Sequence, residues 1–170
     1  MKNNSNTKCP LGEHLQHYWD RLSEKEQEMQ FDEEGLFSLA LQKIALEIAQ
    51  NTPGSTVVDA FCGAGGSAIG FALSGKNVIA IDSDAARLEM AKYNADIFGV
   101  SSLIKFIEGN CLEILPTLNP DSIFLDPPWG GTDYGNIGKF KLLNFEPDGS
   151  KLLDLCFGIT DKIVIRLPKN

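Results

Sequence analysis

This 170-residue chain predicts an α/β fold: a doubly wound, mostly parallel sheet with helices on both faces. Three observations carry that expectation. Short β-branched runs alternate with helical segments in a βαβ rhythm. The runs are nearly continuous in apolar residues, as strands buried on both faces are. The chemically distinctive residues also fall at strand ends or in the turns that follow them, which is the rim where such sheets bind ligands.

The elements follow in order. Residues 1–10 are polar and lack an apolar stretch, so they read as a disordered tail. Residues 11–52 form a helical extension, with a weak helix over 13–26 and a stronger one over 35–50, where Leu36, Phe37, Leu39, Ala40, Ile44, Ala45 and Ile48 recur near helical spacing. Asn51-Thr52-Pro53-Gly54 stops that helix. The main domain then spans 53–170. Its first strand is 56–60, and a Gly-rich turn leads from it into a helix over 68–74. A second strand, 77–82, feeds a helix over 84–98 with Ser83 or Asp84 as its N-cap and Gly99 as its stop. A third strand over 103–107, a short helix over 112–118, a fourth strand over 122–126, a helix over 151–159 and a fifth strand over 162–167 complete the pattern.

Composition narrows the function classes. No apolar run approaches the ~20 residues of a membrane helix, and no secretory signal is visible, so a soluble intracellular protein, nuclear or cytoplasmic, is expected. Cys9, Cys62, Cys111 and Cys156 are widely spaced with no C-x-x-C pair, which argues against a zinc site and a disulfide framework. The net charge of -8 disfavours a long duplex footprint, because many phosphates would need neutralising. A small or single-ended nucleic-acid ligand remains compatible with it.

The richest stretch is Asp126-Pro127-Pro128-Trp129-Gly130-Gly131, which directly follows the apolar run Ser122-Ile123-Phe124-Leu125. A carboxylate at a strand end, two prolines that stiffen the turn and remove two backbone donors, and a Trp before Gly-Gly can hold a flat, amine-bearing ring. The plainer alternative is a strand exit in which Pro-Pro blocks extension and Trp129 covers the core edge.

Asp59-Ala60-Phe61-Cys62-Gly63-Ala64-Gly65-Gly66 has the composition of a cofactor-binding turn, its glycines allowing close approach to the backbone. It departs from the dinucleotide fingerprint, since the residue three after Gly65 is Ala68, and Asp59 is a poor neighbour for phosphate. A carboxylate there suits S-adenosylmethionine, whose ammonium and sulfonium are cationic. A glycine turn needed only for strand–helix packing is the alternative. Asp82, ending the second strand, can accept both hydroxyls of a ribose, whereas Asp84 suits a helix cap. Asn110, after the third strand, can bond an adenine edge.

These residues also carry a family resemblance. The 59–66 turn, Val78-Ile79-Ala80-Ile81-Asp82 and Asp126-Pro127-Pro128-Trp129-Gly130-Gly131-Thr132-Asp133-Tyr134 together resemble the trimethylguanosine synthase family of RNA cap guanine-N2 methyltransferases. Tyr18-Trp19, Arg21, Phe31-Asp32, Glu34-Gly35-Leu36-Phe37-Ser38, Ile44-Ala45 and Ile48-Ala49 resemble its N-terminal extension. Leu167-Pro168-Lys169-Asn170 resembles its Leu-Pro-Arg-Asn.

The resemblance implies a Rossmann-like class I methyltransferase that uses S-adenosylmethionine, needs no metal, and acts on 7-methylguanosine-capped RNA or a cap analogue. It implies cofactor contacts from Phe37, Asp59, Gly63, Gly65, Asp82, Asn110 and Asp126. Asp126, Pro127 and Trp129 would form the catalytic loop, and Ser38, Trp129, Tyr134 and Lys169 would meet the substrate. A packing role for Phe37 stays open. Lys169 replaces the family's Arg, keeping charge but losing the fork. Lys139, Lys141 and Arg166 either extend a basic surface or are scattered surface cations.

The family's domain continues past the fifth strand with a helix and a terminal strand pair, which this chain lacks. The fifth strand is then expected to be an apolar edge that a partner protein covers, unless the chain is a shortened product. Two other functions fit the same motifs: methylation of an adenine or glutamine amine, and a noncatalytic cap-binding or partner-binding domain.

Overall fold

The β-branched runs form five strands, hydrogen-bonded in the order β3-β2-β1-β4-β5 with every described pairing parallel. They are β1 (Thr56–Asp59), β2 (Asn77–Asp82), β3 (Ile104–Glu108), β4 (Ser122–Leu125) and β5 (Ile163–Ile165). The computed structural model describes residues 28–32, 35, 42–128 and 141–167. The helices are α1 (Gln42–Asn51), α2 (Gly66–Leu73), α3 (Ala85–Ile97), α4 (Cys111–Ile114) and α5 (Gly149–Phe157).

The strand order reverses between β1 and β4, which creates a topological switch point at their carboxyl ends. Val57 lies opposite Val78 on one side and Ser122 on the other, so β1 is central. Successive side chains point to opposite faces, and the core divides accordingly. Val57, Val78, Ala80, Ile104 and Phe124 face a layer made by α1, α2 and α3, in which Ala49, Ile69, Phe71, Leu88 and Ala91 are buried. Val58, Ile81, Ile123 and Leu125 face a second layer with Leu115, Leu152 and Cys156. Phe71 and Phe124 meet edge to face at 5.4 Å.

Strand and helix boundaries fall within two residues of the sequence expectation in β1 to β4, and the differences have local causes. α2 begins at Gly66 rather than 68, because Gly65 adopts φ 93° and serves as its N-cap. Asp84, not Ser83, caps α3, its carboxylate accepting from the N–H groups of Ala86 and Arg87. Pro116 tightens the continuation of α4 into a 3-10 turn over Leu115–Thr117. α5 starts at Gly149, two residues early, with Asp148 accepting from Ser150 and Lys151. The helix expected over 35–50 is seen from Gln42 to Asn51, with Gly35 also helical, whereas the helix expected over 13–26 lies outside the described residues. β5 spans three residues, all half-buried, at one edge of the described sheet.

The end of the sheet away from the rim is pinned by Asp121. Its Oδ2 accepts from the N–H groups of Ser55 and Thr56 and from the Ser55 hydroxyl. Those bonds hold its carboxyl below the usual range.

α1 crosses α2 at Gly70, where a Cβ would lie 2.9 Å from Ala45 Cβ and 3.2 Å from its carbonyl carbon. Gly70→Val is therefore expected to destabilise the fold by about 1–3 kcal/mol through overpacking. Thermal unfolding checks this; a variant that melts with the wild type would mean that the helices do not approach so closely.

Candidate active site on the carboxyl rim

Because all five strands run the same way, the residues after β1, β2, β3, β4 and β5 emerge along one rim. Asp59 and Asp126 stand on either side of the switch point. Asp59 pairs in register with Phe124, and Ala60 N–H donates to the Phe124 carbonyl at 3.1 Å, which carries the two strand ends forward together.

Asp59 is fully buried, and its Oδ2 has no hydrogen-bond partner among the described residues. Its Oδ1 accepts from Phe61 N–H at 3.4 Å. Burial and then the Asp126 charge push its carboxyl up to about 8, with a smaller rise from Asp82 and opposition from the Phe61 and Ala68 N–H groups. A buried acid with an orphaned oxygen is costly as an anion. A cationic ligand would relieve it, whereas a phosphate would worsen it.

The neighbouring turn divides its glycines between two tasks. Gly63 has φ 52° and meets none of the described residues where a Cβ would stand, and its N–H donates to Asp82 Oδ2 at 2.7 Å. Gly65 instead abuts α3, since a Cβ there would lie 3.1 Å from Ala91 Cβ. Its place in the turn is thus explained by helix packing, and the open approach belongs to Gly63. Cys62 is buried in the same turn, and burial followed by the Asp59 and Asp82 charges pushes its thiol well up. Burial and those charges disfavour its thiolate form.

Asp82 is half-buried and organises the turn, with Oδ2 on Gly63 N–H and Oδ1 on Asp84 N–H. Each carboxylate oxygen has two lone-pair sites, so these bonds leave acceptor capacity for ribose hydroxyls. Asn110 caps α4, its Oδ1 accepting from Leu112 N–H at 3.0 Å, and it is exposed on the rim.

Asp126 follows β4, with Pro127 buried behind it and Pro128 exposed. Arg166, the residue after β5, reaches across: its Nη1 donates to Asp126 Oδ2 at 2.8 Å. The sequence offered Arg166 as part of a basic surface or a scattered cation, but it is half-buried and ion-paired at the rim. The signal was the parallel β4–β5 alternation, which places residue 166 beside residue 126.

Asn94 is the other residue that sequence reasoning missed. It is fully buried on α3, its Oδ1 accepts from Gln30 N–H at 2.7 Å, and its Nδ2 donates to the carbonyls of Gln30 and Ala64, each at 2.9 Å. It therefore ties the segment carrying buried Met29 and Phe31 to the Gly-rich turn. Asp32 adds an ion pair to Arg87 at 2.9 Å. A polar residue within the Leu88, Ala91, Ala95 stripe was the available clue. Phe37, Ser38, Trp129, Tyr134 and Lys169 lie outside the described residues.

Among the described residues no group of three or more His, Cys, Asp and Glu is arranged to hold a metal, and no helix is long and apolar enough to cross a membrane. A parallel sheet of this order, with an acid at the end of β1, another at the end of β2 and Asp-Pro-Pro after β4, has the Rossmann-like fold shared by S-adenosylmethionine-dependent methyltransferases. Residues 54–170 match the family model for RNA cap guanine-N2 methyltransferases, and the chain belongs to that family.

Two relatives are similar in sequence, and one solved structure is similar in fold. The trimethylguanosine synthase of Schizosaccharomyces pombe is 30% identical over 81% of this chain and 63% of its own length. That of Saccharomyces cerevisiae is 28% identical over 67% of this chain and 38% of its own length. The chain thus spans less than two thirds of either relative. The crystal structure of a putative methyltransferase from Porphyromonas gingivalis shares the fold alone, with TM-score 0.64 and 19% identity over 82% of this chain and 34% of that one.

Proposed function

We propose that the chain transfers a methyl group from S-adenosylmethionine to the exocyclic N2 of a 7-methylguanosine RNA cap. The observation that carries this reading is the position of Asp126 and Pro127 after β4, beside the orphaned acid of β1, at the head of a run that continues into Trp129. A carboxylate and a donor-free proline at that point form an acceptor site for an amine, next to a buried acid suited to a cation.

The residues divide the work. Asp59 takes the cofactor's ammonium, Asp82 its ribose and Asn110 its adenine edge, while Gly63 leaves room for close approach and Phe37 closes the pocket. The cofactor, when bound, supplies an electrophilic methyl on a cationic sulfur. An exocyclic guanine amine is a weak nucleophile because its lone pair is delocalised into the ring. Asp126 and the Pro127 carbonyl accept its N–H groups, favour the pyramidal nitrogen, and stabilise the positive charge that develops on attack. Orientation of the amine in line with the methyl supplies much of the barrier reduction. No covalent enzyme intermediate is required. Ser38, Tyr134 and Lys169 meet the remainder of the cap, Lys169 at its triphosphate. The same reading puts the protein inside the cell, where capped RNA is found.

Methyl transfer assayed across 7-methylguanosine triphosphate, GTP, adenine-containing oligonucleotides and glutamine peptides tests the assignment. Transfer to the methylated cap analogue is expected; transfer confined to adenine or glutamine would reverse it. Trp129 stacked on the cationic base contributes about 1–2 kcal/mol. Trp129→Ala should therefore weaken binding of 7-methylguanosine triphosphate by roughly 5- to 30-fold and leave S-adenosylmethionine affinity within about twofold. Equal loss of both ligands would contradict the stacking role.

A further inference from the structure

Arg166 brings a cation to a rim otherwise dominated by Asp59, Asp82 and Asp126. Leu125 of β4 lies opposite Ile165 of β5, and Arg166 N–H donates to the Leu125 carbonyl at 2.9 Å. The next side chains along the two strands, Asp126 and Arg166, therefore leave the sheet together and meet at 2.8 Å. With side chains only 17% and 27% exposed, this is a sheltered pair anchored at both ends by strands. Surface ion pairs of long side chains lack that anchoring.

We infer that Arg166 is a positioning and specificity residue for methyl transfer: it fixes the Asp126 carboxylate against the acceptor amine and offsets its charge. The inference rests on the reading of Asp126 as the amine's acceptor and extends it. A carboxylate has about four lone-pair sites, so a guanidinium on Oδ2 is compatible with a further N–H donor. The planar guanidinium, its Nη1 on Oδ2, limits how the carboxylate can turn. An uncompensated Asp126 would attract any cationic ring placed beside it. Paired with Arg166 it keeps its carboxylate beside the amine while its pull on a distant cationic ring is partly offset, so selection for a cationic purine falls more to stacking and ring shape than to Asp126.

The test uses the full chain with Arg166→Gln, Arg166→Lys, Asp126→Asn and the Arg166→Gln/Asp126→Asn double variant, each checked by thermal unfolding. Rates are measured at saturating S-adenosylmethionine with the four acceptor types named above. Arg166→Gln is expected to lower kcat about tenfold or more on whichever acceptor is used, with the KM for S-adenosylmethionine within about twofold. Arg166→Lys should recover part of that loss, since it keeps charge without the planar guanidinium. In the Asp126→Asn background, Arg166→Gln should cost little more, because the two act as a unit.

The KM ratio of GTP to 7-methylguanosine triphosphate should rise about threefold or more in Arg166→Gln, a shift toward the cationic base that mere loosening of the fold would not produce. Wild-type turnover by Arg166→Gln, or the same fractional loss with and without Asp126, would overturn the inference. Should Arg166→Gln melt early, Arg166→Lys carries the test, and wild-type kcat there would overturn the role of the planar guanidinium. Activity confined to adenine or glutamine would overturn the cap reading while still testing Arg166 on that acceptor. No transfer to any acceptor by the wild type would overturn both.

Discussion

Asp126→Asn is expected to lower kcat for methyl transfer by about 10²–10³-fold, the usual cost of removing one preorganised group that stabilises charge in a transition state. The carboxamide keeps the shape of the side chain but removes its negative charge and replaces one acceptor oxygen with a donor. The developing charge on the amine then faces a dipole that can point the wrong way. On the proposed function, which gives the cofactor's ammonium and ribose to Asp59 and Asp82, S-adenosylmethionine affinity should change by less than about fivefold. Arg166 loses its partner at the same time. Because that pair is sheltered, stability should fall as well, and thermal unfolding measured alongside kinetics separates the two effects. A variant with wild-type kcat would remove Asp126 from the chemistry, and one that lost cofactor binding instead would move it to the cofactor pocket.

Much of the fold was legible because its determinants are local. Val57-Val58, Ile79-Ala80-Ile81 and Ile123-Phe124-Leu125 are short apolar runs of the kind that only a sheet buried on both faces requires, and they lie in the three central strands of the described sheet. The helix ends were harder, for a physical reason. Gly65 starts α2 by adopting a left-handed conformation, and Asp148 starts α5 by capping, and both features precede the apolar pattern that a periodicity reading detects. β5, half-buried and short, gave the weakest match between pattern and strand length.

The site was legible to the extent that its residues lie at strand ends. Asp59, Asp82, Asn110 and Asp126 could be placed on one rim from their positions after strands alone. Their partners could not. Asn94 acts across 64 residues to Gln30 and 30 to Ala64, and Arg166 acts across 40 to Asp126. Such pairings depend on which strands and helices become neighbours, which no local window contains. The Gly-rich turn illustrates the same limit: Gly63 and Gly65 look alike in sequence, yet a Cβ on one would meet none of the described residues and on the other would meet Ala91.

Asp59 offers the second large effect, because the feature that fits it to a cation destabilises the chain without one. Its carboxyl is raised from 3.8 to about 8, first by burial and then by Asp126 and Asp82. Between those pH values the folded chain holds a proton that the unfolded chain has released. Through this group, stability is greatest below the unfolded pKa, falls as pH rises, and levels off above the folded pKa. Asp59→Asn removes the titration. The ligand-free variant should therefore gain stability over the wild type as pH rises to 8, on the order of a few kcal/mol. It should lose S-adenosylmethionine affinity by about 100-fold or more, since no anion remains for the ammonium.

In the wild type the binding-competent, ionised form is a minor population at pH 6. Affinity should rise about tenfold from pH 6 to pH 7 with uptake of S-adenosylmethionine releasing a proton, and the gain should end near pH 8, where an α-amino group itself titrates. Calorimetry in buffers of different ionisation enthalpy reads the proton directly. Affinity that is flat over this range, or an Asp59→Asn variant that binds as the wild type does, would show that the buried carboxylate is not the ammonium's partner.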